Sequence, residues 1–330
     1  MNTRHIGPFE SAEIGLGCMN LSHAYAAPPP AEQGVRVIHR ALELGVTHFD
    51  TAALYGFGAN ETLVGQALHA HRDRIVLASK CGMTGVNGKR VIDGRPETIL
   101  RTCDEALHRL CTEVIDIYYL HRWDKQVPIE DSVGAMAQLV EAGKVRTLGL
   151  SEISAATLRK AHAVHPIAAV QSEYSLWSRN PEIAMLNACE ELSVSFVAFS
   201  PLGRGFLAGG VTDPSSLFAK DIRRGMPRFQ APHFDHNRSL LQGLQRIAHD
   251  ANATPAQVSL AWLLQKKPFI VPIIGTTSIA HLEEDFGAAA LKLSAEVIRR
   301  LDALINQSTV SGARYPAETQ KEIDTEEFAS

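Results

Sequence analysis

Four residues of this 330-residue chain would, if brought together, move a proton onto an oxygen: Asp50, Tyr55, Lys80 and His121. Each stands at or just past the end of a short apolar run. FDTAALYG carries Asp50 and Tyr55, IVLASKCG carries Lys80, and YYLHRWD carries His121. A free phenol titrates near 10, too high for easy proton transfer at neutral pH. A nearby Lys80 ammonium would stabilise the phenolate and lower the pKa of Tyr55. Asp50 would hold Lys80 charged and oriented, and His121 would hydrogen-bond a substrate oxygen. The set reads as a general acid aimed at a carbonyl oxygen. It contains no electron source, so the hydride must come from a bound cofactor. Taken singly, each residue has a plainer role: ion pair for Asp50 or Lys80, packing for Tyr55, a satisfied core histidine for His121. Their conjunction at successive strand ends carries the chemical reading.

The elements that position them alternate. Strands are predicted at 13–18, 47–51, 75–80, 115–120, 145–150, 168–173, 195–200 and 270–275. Helices are predicted at 32–44, 61–70, 96–110, 132–142, 154–163, 181–191, 239–250 with 255–265, 279–290 and 294–306. Eight strands alternating with helices imply parallel strands joined by crossovers. The first strand ends GLGCMN and lacks the third glycine of a dinucleotide-binding fingerprint, which argues against a doubly wound sheet. The fold class expected is therefore α/β: a (β/α)8 TIM barrel, with a long loop after strand 7 and an extra C-terminal helix. One domain spans 1–330, with a core of about 13–306. The Gly-, Pro- and Arg-rich stretch 201–238 is a long insertion without regular structure, of the kind that is usually functional or mobile. The first residues form a short hairpin plugging the barrel bottom, and the polar tail 308–330 is expected to be loose.

Composition excludes several classes. Lys+Arg of 32 against Asp+Glu of 36 gives a net charge of −4, with no general basic footprint for nucleic acid. No apolar run is long enough for a membrane span, and the N-terminus has no secretory h-region. The five cysteines are scattered and form no C-x-x-C pair, so reduced thiols and a cytoplasmic location are expected. No metal site is expected. His233, Asp235 and His236 are the nearest thing to a cluster, without further ligands.

The motifs FDTAALYG, IVLASKCG, DIYYLHRWD, TLGLSE, VQSEYS and AFSPLGRG occur in this order along the chain. Together they resemble the aldo-keto reductase family, in its bacterial and fungal soluble flavour of pyridoxal-reductase-like or broad-specificity aldehyde reductases. The resemblance runs from about Ile14 to Ala290 and implies NADP(H)-dependent carbonyl reduction or the reverse alcohol oxidation. By position it makes Tyr55 the proton donor, Lys80 and Asp50 its tuning partners, and His121 the carbonyl-orienting residue. Ser151 and Gln171 would bind the nicotinamide carboxamide, and Phe199 would stack on the ring. Ser200, Leu202, Gly203, Arg204 and Gly205 would line the pyrophosphate, with the 201–238 insertion folded over the cofactor as a clamp. Gly275, Thr276, Thr277, Ser278, His281 and Asp285 would surround the adenosine end.

That last stretch, IIGTTSIAHLEED, departs from the family's pattern. Thr277 and Ser278 stand where a basic pair is common, and Asp285 replaces a frequent Asn. Hydroxyls still bind a phosphate, more weakly than a cationic fork, so NADP(H) is favoured and NAD(H) stays open. Glu152 replaces an Asn seen in many relatives. Met19, Tyr25 and Trp123 would shape the substrate mouth. Arg223, Arg224 and Arg228 read either as a solvated loop face or as one donor to cofactor phosphate. Two rival functions stand beside the reductase: a Schiff-base lyase using Lys80, and a non-catalytic cofactor-sensing subunit. The partner expected is a small carbonyl or alcohol substrate.

Overall fold

The computed structural model describes residues 2–329. The chain opens with an antiparallel hairpin, β1 (Thr3–Ile6) and β2 (Phe9–Ala12). Then come β3 (Gly15–Gly17), α1 (Ala31–Glu43), β4 (His48–Asp50), α2 (Ala59–Leu68) and β5 (Val76–Cys81). A second hairpin, β6 (Met83–Val86) and β7 (Lys89–Ile92), precedes α3 (Pro96–Leu110). The alternation resumes with β8 (Ile115–Leu120), α4 (Ile129–Glu141), β9 (Val145–Ser151), α5 (Ala155–Val164), β10 (Ile167–Glu173), α6 (Met185–Leu192) and β11 (Ser195–Phe199). It closes with α7 (His233–Asp250), α8 (Pro255–Leu264), β12 (Ile270–Ile274), α9 (Ile279–Phe286), α10 (Ala295–Leu304) and the short α11 (Ala317–Gln320).

β3, β4, β5, β8, β9, β10, β11 and β12 close into a parallel barrel, β12 pairing back onto β3. This is the (β/α)8 architecture read from the sequence. The helices start where local chemistry favours a start. Pro96 opens α3, where a missing N–H costs nothing. Thr254 and Gln257 form a reciprocal capping box on α8. Ser154, Ser278 and Ser294 cap α5, α9 and α10.

The barrel interior is filled by Val76, Ala78, Ile117, Tyr119, Ala169, Val197, Val271 and Ile273, with Ile6 of the hairpin seated against them. The hairpin therefore plugs the bottom as expected. Two glycines make room in this core. A Cβ at Gly149 would lie 2.3 Å from the Tyr119 ring, and one at Gly15 would lie 2.6 Å from His48.

Four expectations need correction. The insertion is not structureless: short 3-10 turns at Gly203–Gly205, Pro214–Ser216, Ile222–Gly225 and Pro227–Phe229 punctuate it. Helix α7 also begins at His233, six residues before the predicted 239, with Phe234 packed on Phe206. The tail is not loose. Arg314, Tyr315 and Ile323 are buried, and Asp324 accepts hydrogen bonds from the Ser154 backbone N–H and the Ser154 and Thr157 hydroxyls at the start of α5. Its polar composition hid this because its partners are polar and far away in sequence. Arg228 is not a solvated residue either: it is half-buried and donates to Trp177 O, Ser178 Oγ and Gly312 O.

Candidate active site

Strand alternation selects the site residues. Inward positions fall two apart, so the core series Val76–Ala78 continues to Lys80 at the C-terminal end of β5. The same rule carries Ile117–Tyr119 on to His121, Ala169 to Gln171 and Val197 to Phe199. Asp50 ends β4 and Ser151 ends β9. All these residues meet at one rim, the end where barrel enzymes keep their active sites.

The four proposed proton-transfer residues are brought together. Lys80 is fully buried and ion-pairs with Asp50 Oδ1. It also donates to Thr51 O at 2.8 Å and to the Tyr55 hydroxyl oxygen at 3.2 Å. Gln171 Nε2 donates to the other Asp50 oxygen at 2.8 Å, fixing the carboxylate. The Tyr55 and His121 rings meet edge to face with centroids 5.7 Å apart. Because the Tyr55 oxygen accepts from Lys80, its own O–H remains to donate into the cavity.

The electrostatics refine the sequence reading. Burial pushes the Tyr55 pKa above its ordinary value, and the opposing pull of Lys80 does not overcome it. Lys80 acts on Tyr55 in the expected direction, but the net shift is upward, because desolving a phenolate costs more than one paired ammonium returns. Lys80 is itself held charged: burial works against the ammonium, but Asp50 and Tyr55 outweigh it. His121 lies well below its ordinary value through burial, reinforced by Lys80, Arg122, Arg90 and His23. At neutral pH the site therefore presents a phenol, an ammonium and a neutral imidazole.

Above them opens a cavity of about 970 Å3, at the upper end of the usual size for a small-molecule site. Asp50, Tyr55, His121, Ser151, Gln171, Phe199, Ser200, Leu202, Arg204, Gly205, Gly275, Thr276, Thr277, His281, Asp285, Met19 and Tyr25 all border it. Lys80 is fully buried behind Tyr55 and Asp50 and does not reach it, and three others from the sequence reading do not border it either. Gly203 lies against the Trp177 indole, where a Cβ would come within 2.8 Å of Nε1. Ser278 is turned to cap α9. Trp123 is held in its own loop by a 2.9 Å hydrogen bond to Val127 O and forms no part of the cavity wall.

The insertion covers one side of this cavity. Ile222 N–H donates to Ala24 O at 3.0 Å, and the Arg223 guanidinium stacks 4.8 Å from the Tyr25 ring centroid. Arg204 is paired with Glu173 at 2.7 Å and donates to the Tyr315 and Tyr25 hydroxyls. Its positive charge is thus compensated within the protein. At the far end, Asp285 has its carboxyl pushed up to about 7 by burial, with Glu284 adding to the effect. His233 and His236, weighed as metal ligands, instead bond Ser311 Oγ and Thr309 O of the tail.

Several residues of the site were not found in the sequence. His23, Leu54, Met83, Arg90, Arg122 and Tyr315 all border the cavity. Met83 packs with Leu54 and Tyr55, with Met19 and Ile92 against them. Arg122 had a signal, since it directly follows His121 at a strand end. Met83 and Arg90 lie on the β6–β7 hairpin, which the sequence reading does not contain, and His23, Leu54 and Tyr315 come from connecting segments whose course no periodicity reports.

Comparison with known proteins agrees with this geometry. The family model described as the Aldo/keto reductase family matches residues 13–306. A "Probable aldo-keto reductase 1" of Glycine max is 44% identical over 310 residues, covering 93% of this chain and 89% of that protein. "Aldo-keto reductase yakc [NADP(+)]" of Schizosaccharomyces pombe is 42% identical over 321 residues, covering 95% and 94%. Among solved structures, a glycerol dehydrogenase from Gluconobacter oxydans superposes with a TM-score of 0.84 at 27% identity, over 92% of this chain and 94% of that one. The chain belongs to the aldo/keto reductase family and is an NAD(P)(H)-dependent oxidoreductase.

Proposed function

We propose that the protein reduces an aldehyde or ketone with NADP(H), the reverse alcohol oxidation being open to the same residues. The observation that carries this is the Tyr55 oxygen accepting from Lys80 at 3.2 Å while its hydroxyl faces a cavity shared with His121. A carbonyl oxygen placed between Tyr55 and His121 receives the proton of Tyr55 as negative charge develops on it. Lys80, held charged by Asp50, stabilises the phenolate left behind. His121, neutral at physiological pH, orients the oxygen through a ring nitrogen. The nicotinamide supplies the hydride when bound.

The long cavity fits an extended dinucleotide. Ser151, Gln171 and Phe199 stand beside the proton donor and would hold the nicotinamide. Ser200, Leu202 and Gly205 line the same cavity and would follow the pyrophosphate, and Thr276, Thr277, His281 and Asp285, which also line it, would meet the adenosine end. NADP(H) is supported by the hydroxyls of Thr276 and Thr277 and by the NADP(+) in the name of the Schizosaccharomyces pombe relative. NAD(H) is the second reading, favoured by Glu284 and Asp285 at the same end. We infer that residues 1–330 work as one domain, because the insertion and the tail both help to wall the barrel's cavity.

The charged state of Lys80 speaks against the Schiff-base alternative, which needs a neutral amine. The test is absorbance at 340 nm with NADPH or NADH and a panel of sugars, pyridoxal, methylglyoxal, aromatic aldehydes and bulky ketones. Consumption of NADPH in preference to NADH supports the reading. Preference for NADH transfers it to the second cofactor, and no turnover on any carbonyl overturns it.

A further inference from the structure

Arg122 is a buried cation without a counter-ion. Its side chain is over nine-tenths buried. Every other arginine on the cavity has a carboxylate: Arg204 has Glu173, Arg223 has Asp221 and the exposed Arg90 has Glu322. Arg122 has none among the described residues. Its Nη1 donates to His121 O at 2.7 Å and to Ser151 Oγ at 3.3 Å, and its buried Nε has no partner at all. A guanidinium offers five donors in a planar fork, and leaving one buried is costly. Burying the charge unpaired costs more.

Its place makes that cost informative. Arg122 borders the cavity directly beside His121, the group that would orient the reacting carbonyl. Burial leads in holding His121 neutral, and the nearby Lys80, Arg122 and Arg90 cations add to it. The apolar wall of Met19, Leu54 and Met83 stands on the side of Tyr55, so one flank of the pocket is greasy and the other cationic.

We propose that Arg122 is a specificity-determining residue that binds a carboxylate carried by the substrate, making oxo acids and aldehyde acids the favoured substrate class. This rests on the reductase reading of the same site. A planar carboxylate matches the fork of a guanidinium and supplies the missing counter-charge. No bond is made or broken in this role; Arg122 holds the substrate while Tyr55 delivers the proton.

The experiment compares carboxylated aldehydes with neutral partners of similar size: glyoxylate against glycolaldehyde, succinic semialdehyde against butanal, and 4-carboxybenzaldehyde against benzaldehyde. The series of lengths finds the separation at which the carboxylate meets Arg122. For at least one pair the wild-type enzyme should show kcat/KM about 10-fold or more in favour of the acid, the scale of one charge-assisted hydrogen bond. In Arg122→Gln and Arg122→Lys that preference should shrink, chiefly through KM for the acid, with Lys retaining part of it. Competitive inhibition of the wild-type enzyme by benzoate but not by the neutral benzamide reads out the same contact if the variants fail to fold. No acid preference at any length, or equal losses for both members of every pair with a raised KM for cofactor, overturns the proposal and makes Arg122 a support for Ser151. Absence of turnover on the neutral aldehydes as well overturns the reductase reading itself.

Discussion

Lys80 spends all three of its ammonium donors inside the barrel rim, on Asp50 Oδ1, Thr51 O and the Tyr55 hydroxyl oxygen. The last contact settles the direction of the hydrogen bond. Tyr55 accepts through its oxygen and keeps its proton for the cavity. A lysine so committed has no lone pair to offer a carbonyl carbon, which is why the site reads as proton donation rather than imine chemistry.

Lys80→Met should therefore damage both chemistry and fold. It removes the cation that steadies the phenolate and leaves Asp50 buried without its partner, a loss on the order of 3–5 kcal/mol. Urea unfolding and steady-state kinetics should show lower stability together with a fall in turnover of about two orders of magnitude. A variant as active and as stable as the wild type would contradict the placement of Lys80.

The pH dependence follows from the opposite shifts of two rings. Reduction needs Tyr55 protonated and His121 neutral. Tyr55 is moved up by burial, so it keeps its proton through the alkaline range. His121 is moved down, so it stays neutral well below its ordinary titration. The kcat for reduction should stay level from about pH 6.5 to about pH 9. A half-maximal loss centred inside that window would show that one of the shifts has the wrong sign.

Asp285 gives a prediction about stability. Burial raises its carboxyl from 3.8 to about 7 in the folded protein. A carboxyl that holds its proton more tightly when folded loses stability as pH rises toward that folded pKa, and the penalty is complete above it. Asp285→Asn should thus raise Tm more at pH 8 than at pH 5, measured by differential scanning calorimetry. It should also improve binding of NADPH relative to NADH at pH 8, by removing a negative charge from the end assigned to the adenosine phosphate. Equal Tm changes at both pH values would show that Asp285 titrates normally.

The tail is held by Glu152, whose two oxygens accept from Arg314 at 3.1 and 2.8 Å with both side chains buried. Glu152→Gln leaves the Arg314 charge without its anion and should cost about 3 kcal/mol in urea unfolding. Because Tyr315 follows Arg314 and borders the cavity, substrate KM should rise as well. Unchanged stability and KM together would mean that Asp324 and the tail's other contacts hold it without this pair.

What could be read beforehand follows from the range of each signal. The end of a short apolar run is a local signal, and it points to Asp50, Lys80 and His121 without a structure, while the family resemblance supplies Gln171 and Phe199. The pairing of β8, predicted at 115–120, is found at Ile115–Leu120. Contacts that span the chain leave no such trace. Glu152 meets Arg314 across 162 positions and Arg90 meets Glu322 across 232, so a tail rich in polar residues looks loose from its sequence. Trp123 shows the converse failure. Its position after His121 suggests a pocket wall, but its indole N–H donates to Val127 O nearby and it does not line the cavity. The net sign of the Tyr55 shift also needed burial, which a sequence does not give.

The central claim is that Tyr55 delivers the proton, and single-turnover kinetics test it most directly. NADPH-loaded wild-type enzyme and Tyr55→Phe are mixed with benzaldehyde or 4-carboxybenzaldehyde, with NADPH binding measured separately by fluorescence. The expected result is an unchanged NADPH affinity with a rate of NADPH oxidation lowered about 100-fold or more. A Tyr55→Phe rate within about threefold of the wild type, at equal NADPH occupancy, would contradict the account.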